Sequence, residues 1–153
     1  LLSGTFGKAF GSGGAFLASS ERLKEHLLQT SGAFRYSTAL APPLTAAALA
    51  ALKLIKSHPD WAEELQNRAV YWRSQLSAEG WSSPSRKGPI LPLIIGTDQQ
   101  ALSCQHQLEK AGLLSVAIRP PTVPEGTSRL RIALRKDLPS EALGRLIKAL
   151  EAK

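Results

Sequence analysis

In the run Thr5-Phe6-Gly7-Lys8-Ala9-Phe10-Gly11-Ser12-Gly13-Gly14-Ala15, one lysine stands among Gly7, Gly11, Gly13 and Gly14, with a threonine three positions before it. Apolar residues flank it on both sides, Leu1-Leu2 before and Ala15-Phe16-Leu17-Ala18 after. Glycine lets backbone come close to a bound group and permits positive φ. A lysine drawn out of water in such surroundings is favoured as the neutral amine, which is a nucleophile and an imine donor. A phosphate-cradling P-loop is excluded, because Leu2 and Ala9 stand where that motif requires Gly and Ser/Thr. The dinucleotide fingerprint Gly-x-Gly-x-x-Gly fails as well, since Gly11-Ser12-Gly13 is followed by Phe16. Two readings stay open locally: a glycine-rich hairpin with a solvated lysine, and a lysine that holds a carbonyl cofactor.

Outward from this run, residues 1–4 and 14–18 read as short strands, and Ser19-Ser20 caps a helix to about Gln29. Residues 31–40 read as irregular, with Tyr36-Ser37-Thr38 as a brief strand. Pro42-Pro43 restarts the chain, and the alanine-rich stretch from Leu44 to Ser57 is the strongest helix former. After His58-Pro59, a second helix to Ala78 places Trp61, Leu65, Ala69, Trp72 and Leu76 on one apolar face, so its tryptophans read as packing. A polar loop at 82–88 leads to a strand at 90–95, where Pro92 requires an edge or a bulge. Thr97 and Gln100 open a helix to Ala111, closed by Gly112. Residues 115–119 form a strand, and a proline-rich loop follows. In 128–134, Leu130, Ile132 and Leu134 share one face, while Arg129 and Arg131 share the other. Pro139 opens a last helix with Leu143, Leu146, Ile147 and Leu150 inward. The second half is thus a small α/β module, and the first half is the edge of another unit.

The composition is that of an ordinary folded protein, with 43% apolar and 20% charged residues over 153 positions. No apolar run is long enough to span a bilayer, and no targeting peptide is expected from a start that opens directly into structured-looking sequence. The absence of any Met suggests a fragment. A single cysteine, Cys104, fits a reducing, cytoplasmic setting and reads as a small buried hydrophobe. His26, His58 and His106 are scattered without ligand partners, so no metal site is expected. The net charge of +7 is spread along the chain and mixed with acids, and no aromatic-interleaved basic strand is present. That pattern argues against nucleic acid, and an anionic cofactor and substrate would equally favour basic residues near a site.

The lysine run, the Tyr36-Ser37-Thr38 segment and the run Ala117-Ile118-Arg119-Pro120-Pro121-Thr122-Val123-Pro124-Glu125-Gly126-Thr127-Ser128-Arg129-Leu130-Arg131 together resemble the α-oxoamine synthases. These are fold type I enzymes that use pyridoxal 5'-phosphate (PLP), and the second run is most similar to their biotin-pathway members. The resemblance covers nearly the whole chain but only the later part of a full-length member. It implies an α/β fold, with residues 1–53 as the end of the large cofactor-binding domain and 54–153 as the small C-terminal domain.

It further implies a decarboxylating condensation of L-alanine with a pimeloyl thioester, carried by coenzyme A or a carrier protein, in a homodimer. Lys8 would carry the cofactor and move the proton at the α-carbon. Thr5 and Thr38 would bind the cofactor phosphate, Thr38 that of the neighbouring subunit. Arg131 matches the arginine that holds the amino-acid carboxylate, a task suited to a planar guanidinium. Thr122 matches a substrate-contacting position. Arg119 either attracts an anionic substrate or anchors its loop, and Arg129 reads as a solvated strand residue. The family's ring-stacking histidine and its aspartate on the ring nitrogen lie upstream of the lysine, and neither is in this chain. The 153 residues alone are therefore expected to hold the cofactor poorly and not to turn over. Two other readings stand beside this one: a glycine-using member making 2-amino-3-oxobutyrate or 5-aminolevulinate, and a non-catalytic basic binding module.

Overall fold

The computed structural model of the chain describes residues 1–84 and 88–151. Its contacts divide it into two compact units, Leu1–Pro59 and Asp60–Lys153. The helix that crosses residue 53 is unbroken, and the first unit ends at Pro59 just beyond it.

The first unit opens with an antiparallel hairpin of β1 (Leu2–Thr5) and β2 (Ala15–Ala18), in which Thr5 pairs with Ala15. Helix α1 (Glu21–Thr30) follows Ser20, whose backbone carbonyl accepts from Leu23 and Lys24, while its hydroxyl makes no cap bond. The expected strand at Tyr36-Ser37-Thr38 is absent. Instead α2 (Gly32–Arg35) forms a single turn, capped by the Ser31 hydroxyl accepting from the Phe34 N–H, and coil follows. The local serine cap wins over the β-preference of a tyrosine with no strand to pair with. Helix α3 (Pro42–Ser57) begins on two prolines, where missing N–H groups cost nothing. No residue of this unit is buried, and Leu1, Leu2, Phe34, Tyr36, Leu49 and Leu54 are all more than half exposed.

The second unit holds the whole buried core. Helix α4 (Trp61–Ala78) buries Ala69, Trp72 and Leu76 on the expected face. Trp61 at its start is half-buried, with the Lys136 ammonium 4.8 Å from its ring centroid. Strands β3 (Ile90–Gly96), β4 (Val116–Ile118) and β5 (Ser128–Ala133) form an antiparallel sheet in the order β3-β5-β4. Pro92 lies on edge strand β3, and the register shifts between Ile94 and Gly96, so the edge and the irregularity both occur. Of the polar loop expected at 82–88, residues 85–87 lie outside the described residues.

Helix α5 (Asp98–Lys110) packs against all three strands, and α6 (Ala142–Glu151) packs against α5. Helix α6 starts three residues later than expected, after a turn in which the Ala142 N–H donates to the Pro139 carbonyl. At the head of α5, the Thr97 hydroxyl accepts from the Gln100 N–H at 3.3 Å and donates to Gln100 Oε1 at 2.9 Å. Leu130 and Ile132 of β5, with Leu91 and Leu93 of β3, turn to the helix-covered face, which leaves Arg131 exposed on the other.

Candidate functional site

In the first unit, the loop joining β1 to β2 carries Lys8. The Phe6 N–H donates to Gly14 O, the Ser12 N–H to Phe6 O and the Gly11 N–H to Lys8 O, each at 2.9 Å. Phe6 meets Phe10 edge-on at 5.1 Å and Phe16 at 5.5 Å between ring centroids. These three rings, with Leu40, Leu49 and Leu52, line an apolar cavity of about 420 Å³. The loop is tied to α3 by the Ser12 hydroxyl, which donates to Leu44 O at 2.6 Å. Gly14 is required twice over: its φ is +90°, and a Cβ there would stand 2.5 Å from Leu40 Cδ1.

Lys8 itself is exposed, so residues 1–59 do not supply the desolvation expected of a glycine-rich pocket. Its amine has no hydrogen bond or ion pair among the described residues. Thr5 ends β1 on the same hairpin, exposed and without a side-chain partner among the described residues. Thr38 lies in the coil after α2, also exposed; Ser37 beside it donates its hydroxyl back to Ala33 O. Leu40, two residues beyond Thr38, is packed against the lysine hairpin. Lys8, Thr5 and Thr38 thus present one amine and two hydroxyls without partners among the described residues, a donor set that fits a group bearing both an aldehyde and a phosphate. The unit offers no carboxylate before Glu21 for a ring nitrogen.

In the second unit, Arg131 sits in the central strand opposite Pro92 and Val116. It is exposed and makes no ion pair or hydrogen bond among the described residues. Its five donors are therefore open to a ligand carboxylate. Thr122 lies in the loop between β4 and β5, its N–H donating to Arg119 O at 3.0 Å across a turn whose Pro120–Pro121 peptide is cis. Both Thr122 and Arg119 are exposed.

Arg129 departs from the sequence expectation. It is part-buried rather than solvated, with Nε donating to Thr127 O at 2.9 Å and Nη2 to Thr127 Oγ1 at 3.0 Å. The spacing of two residues, which puts Thr127 and Arg129 on one face, was the available signal. Cys104 is half-buried, lining a cleft of about 500 Å³ with Trp81, Ile94 and Ile95, and burial pushes its thiol above the ordinary value. Among the described residues no cluster of His, Cys, Asp or Glu could hold a metal, and no helix is long and apolar enough to cross a membrane.

Residues 1–150 match the aminotransferase class I and II family. The 8-amino-7-oxononanoate synthase of Methylococcus capsulatus is 39% identical over 150 residues, which is 98% of this chain and 39% of that protein. The chain therefore spans about two fifths of the length of that curated relative. The solved structure of 8-amino-7-oxononanoate synthase from Francisella tularensis superposes with a TM-score of 0.81 at 25% identity, covering 97% of this chain and 43% of that one. A variant serine palmitoyltransferase of S. paucimobilis, solved with a bound PLP–myriocin aldimine, superposes with a TM-score of 0.86 at 22% identity, over 98% of this chain and 38% of that one. The last of these shows the fold alone. With its α/β elements and small sheets laid out as in these structures, the chain has the fold type I PLP-transferase architecture and belongs to the aminotransferase class I and II family.

Proposed function

We propose that this chain is the later part of an α-oxoamine synthase that condenses L-alanine with a pimeloyl thioester, releasing carbon dioxide and the thiol to give 8-amino-7-oxononanoate. Residues 1–53 belong in this reading to the cofactor-binding large domain, and 54–153 to the small domain. The observation that carries it is Lys8, an exposed, unpartnered amine on a tightly bonded glycine hairpin. The likeness to 8-amino-7-oxononanoate synthases over nearly the whole chain supports the choice of reaction.

Lys8 would hold PLP through its amine, the Thr5 hydroxyl would donate to its phosphate, and the Thr38 hydroxyl would donate to the phosphate held by the neighbouring subunit. Bound PLP supplies an electron sink for the carbanion at the α-carbon of the amino acid. Arg131 binds the alanine carboxylate with its two parallel N–H groups, which fixes the α-carbon for deprotonation. The Lys8 amine would take the α-proton and later return one at the same carbon. Thr122 contacts the thioester from the β4–β5 loop, and the positive charge of Arg119 favours an anionic acyl donor.

The apolar side chains left exposed in the first unit support a larger assembly, with the remaining length of the polypeptide and a second subunit covering them. In this reading the working enzyme is a cytoplasmic homodimer, and the 153 residues by themselves are inactive. The test is to assay the full-length protein with PLP and a pimeloyl thioester, offering alanine or glycine. Product from alanine at a clear excess over glycine supports the proposal. Equal or greater use of glycine moves the chain to another branch of the family.

A further inference from the structure

We infer that Arg129 is a positioning residue for the acyl donor: it clamps the β4–β5 loop that carries Arg119 and Thr122, without touching the substrate itself. The inference rests on the proposed reaction and adds a role to a residue outside its catalytic set. The loop spans residues 119–127, between Ile118 at the end of β4 and Ser128 at the start of β5. At its far end Pro124-Glu125-Gly126-Thr127 folds into a turn, with the Thr127 N–H donating to Pro124 O at 3.2 Å and the Thr127 hydroxyl donating to the same oxygen at 2.6 Å. Gly126, at the third position with φ +72°, supplies the conformation such a turn needs.

The guanidinium of Arg129 then grips Thr127 at two points, its carbonyl at 2.9 Å and its hydroxyl oxygen at 3.0 Å. The hydroxyl gives its proton to Pro124 O and takes a hydrogen bond from Arg129, so the chain from strand to turn is complete. One residue on, the Ser128 hydroxyl, wholly buried, donates to Asp98 Oδ1 at 2.5 Å and pins the other side of the strand to the head of α5. Positions 127, 128 and 129 are therefore fixed together, and the loop leaves the sheet in one direction. Arg131, two residues along the same face, has no such engagement among the described residues. The two arginines of one strand thus divide the work: Arg131 is open to a ligand, and Arg129 is spent on the loop.

In the full-length protein, Arg129→Met and Thr127→Val should each raise the KM for the thioester about tenfold, the scale of one hydrogen bond to a charged group. The KM for alanine should stay within about twofold, because Arg131 does not depend on the clamp. The double variant should be no worse than either single one, and Arg129→Lys should recover part of the loss. Hydrogen exchange of the amides in 119–127 should quicken in Arg129→Met, a readout independent of turnover. Unchanged exchange in the loop, or a rise in the alanine KM equal to that for the thioester, overturns the clamp. A wild-type protein that fails to condense alanine with the thioester defeats the proposed reaction, while the exchange result still decides for or against the clamp.

Discussion

Replacing Arg131 in the full-length protein, by lysine and by alanine, separates binding from folding. Arg131 is exposed and makes no hydrogen bond or ion pair among the described residues, so its removal strands no buried partner. Surface changes of that kind alter stability by no more than about 0.5 kcal/mol. The loss should fall on the amino acid instead. A hydrogen bond to a charged group is worth about 1.5–3 kcal/mol, so losing one arm of the fork converts to a KM for alanine raised roughly 10- to 150-fold. Lysine keeps the charge but not the planar fork, and should sit at the lower end; alanine should exceed it. Steady-state kinetics at saturating thioester gives the KM, and thermal unfolding gives the stability. An unchanged alanine KM in both variants would refute the assignment. So would a fall in unfolding temperature large enough to account for the kinetic loss.

Three further outcomes follow from the packing. Leu130, wholly buried in the central strand, should cost about 2–5 kcal/mol on change to alanine; urea unfolding followed by tryptophan fluorescence reads this directly, since Trp61, Trp72 and Trp81 all lie in the second unit. Gly14→Ala should destabilise the hairpin by about 1–3 kcal/mol from its positive φ alone, with the clash against Leu40 in addition. Gly126→Ala, where nothing lies within 4 Å, should show only the backbone part, and circular dichroism melts compare the two. The Cys104 thiol, raised by burial, stays protonated to higher pH than a free cysteine. Its alkylation by iodoacetamide should be slow at neutral pH, with the rise in rate displaced upward. By linkage, the stability that the raised thiol contributes is present at neutral pH and is lost as pH climbs through its folded value.

Much of this architecture was legible because the second unit obeys simple periodicities. Leu130 and Ile132 alternate with Arg129 and Arg131, and Ala69, Trp72 and Leu76 recur at helical spacing, so both buried faces could be read before any coordinates. The first unit was harder. Its helices bury nothing, so the usual apolar stripe marks a surface without its cover, and the serine-capped turn at Gly32–Arg35 replaced an expected strand. Lys8 was singled out by the glycines around it, whose role is visible at Gly14. Its exposure was not legible, because desolvation depends on what else surrounds the hairpin. Arg129 was misjudged for a different reason. Strand alternation gives a side chain its face but not its partner, and the partner here is a threonine just beyond the strand.

Lys8 is the residue on which the proposed chemistry depends. Reducing the PLP-loaded full-length protein with borohydride and mapping the modified lysine by mass spectrometry tests it directly. The pyridoxyl label should fall on Lys8 and be lost when alanine is added before reduction. Label absent from Lys8, or scattered over surface lysines, would contradict it.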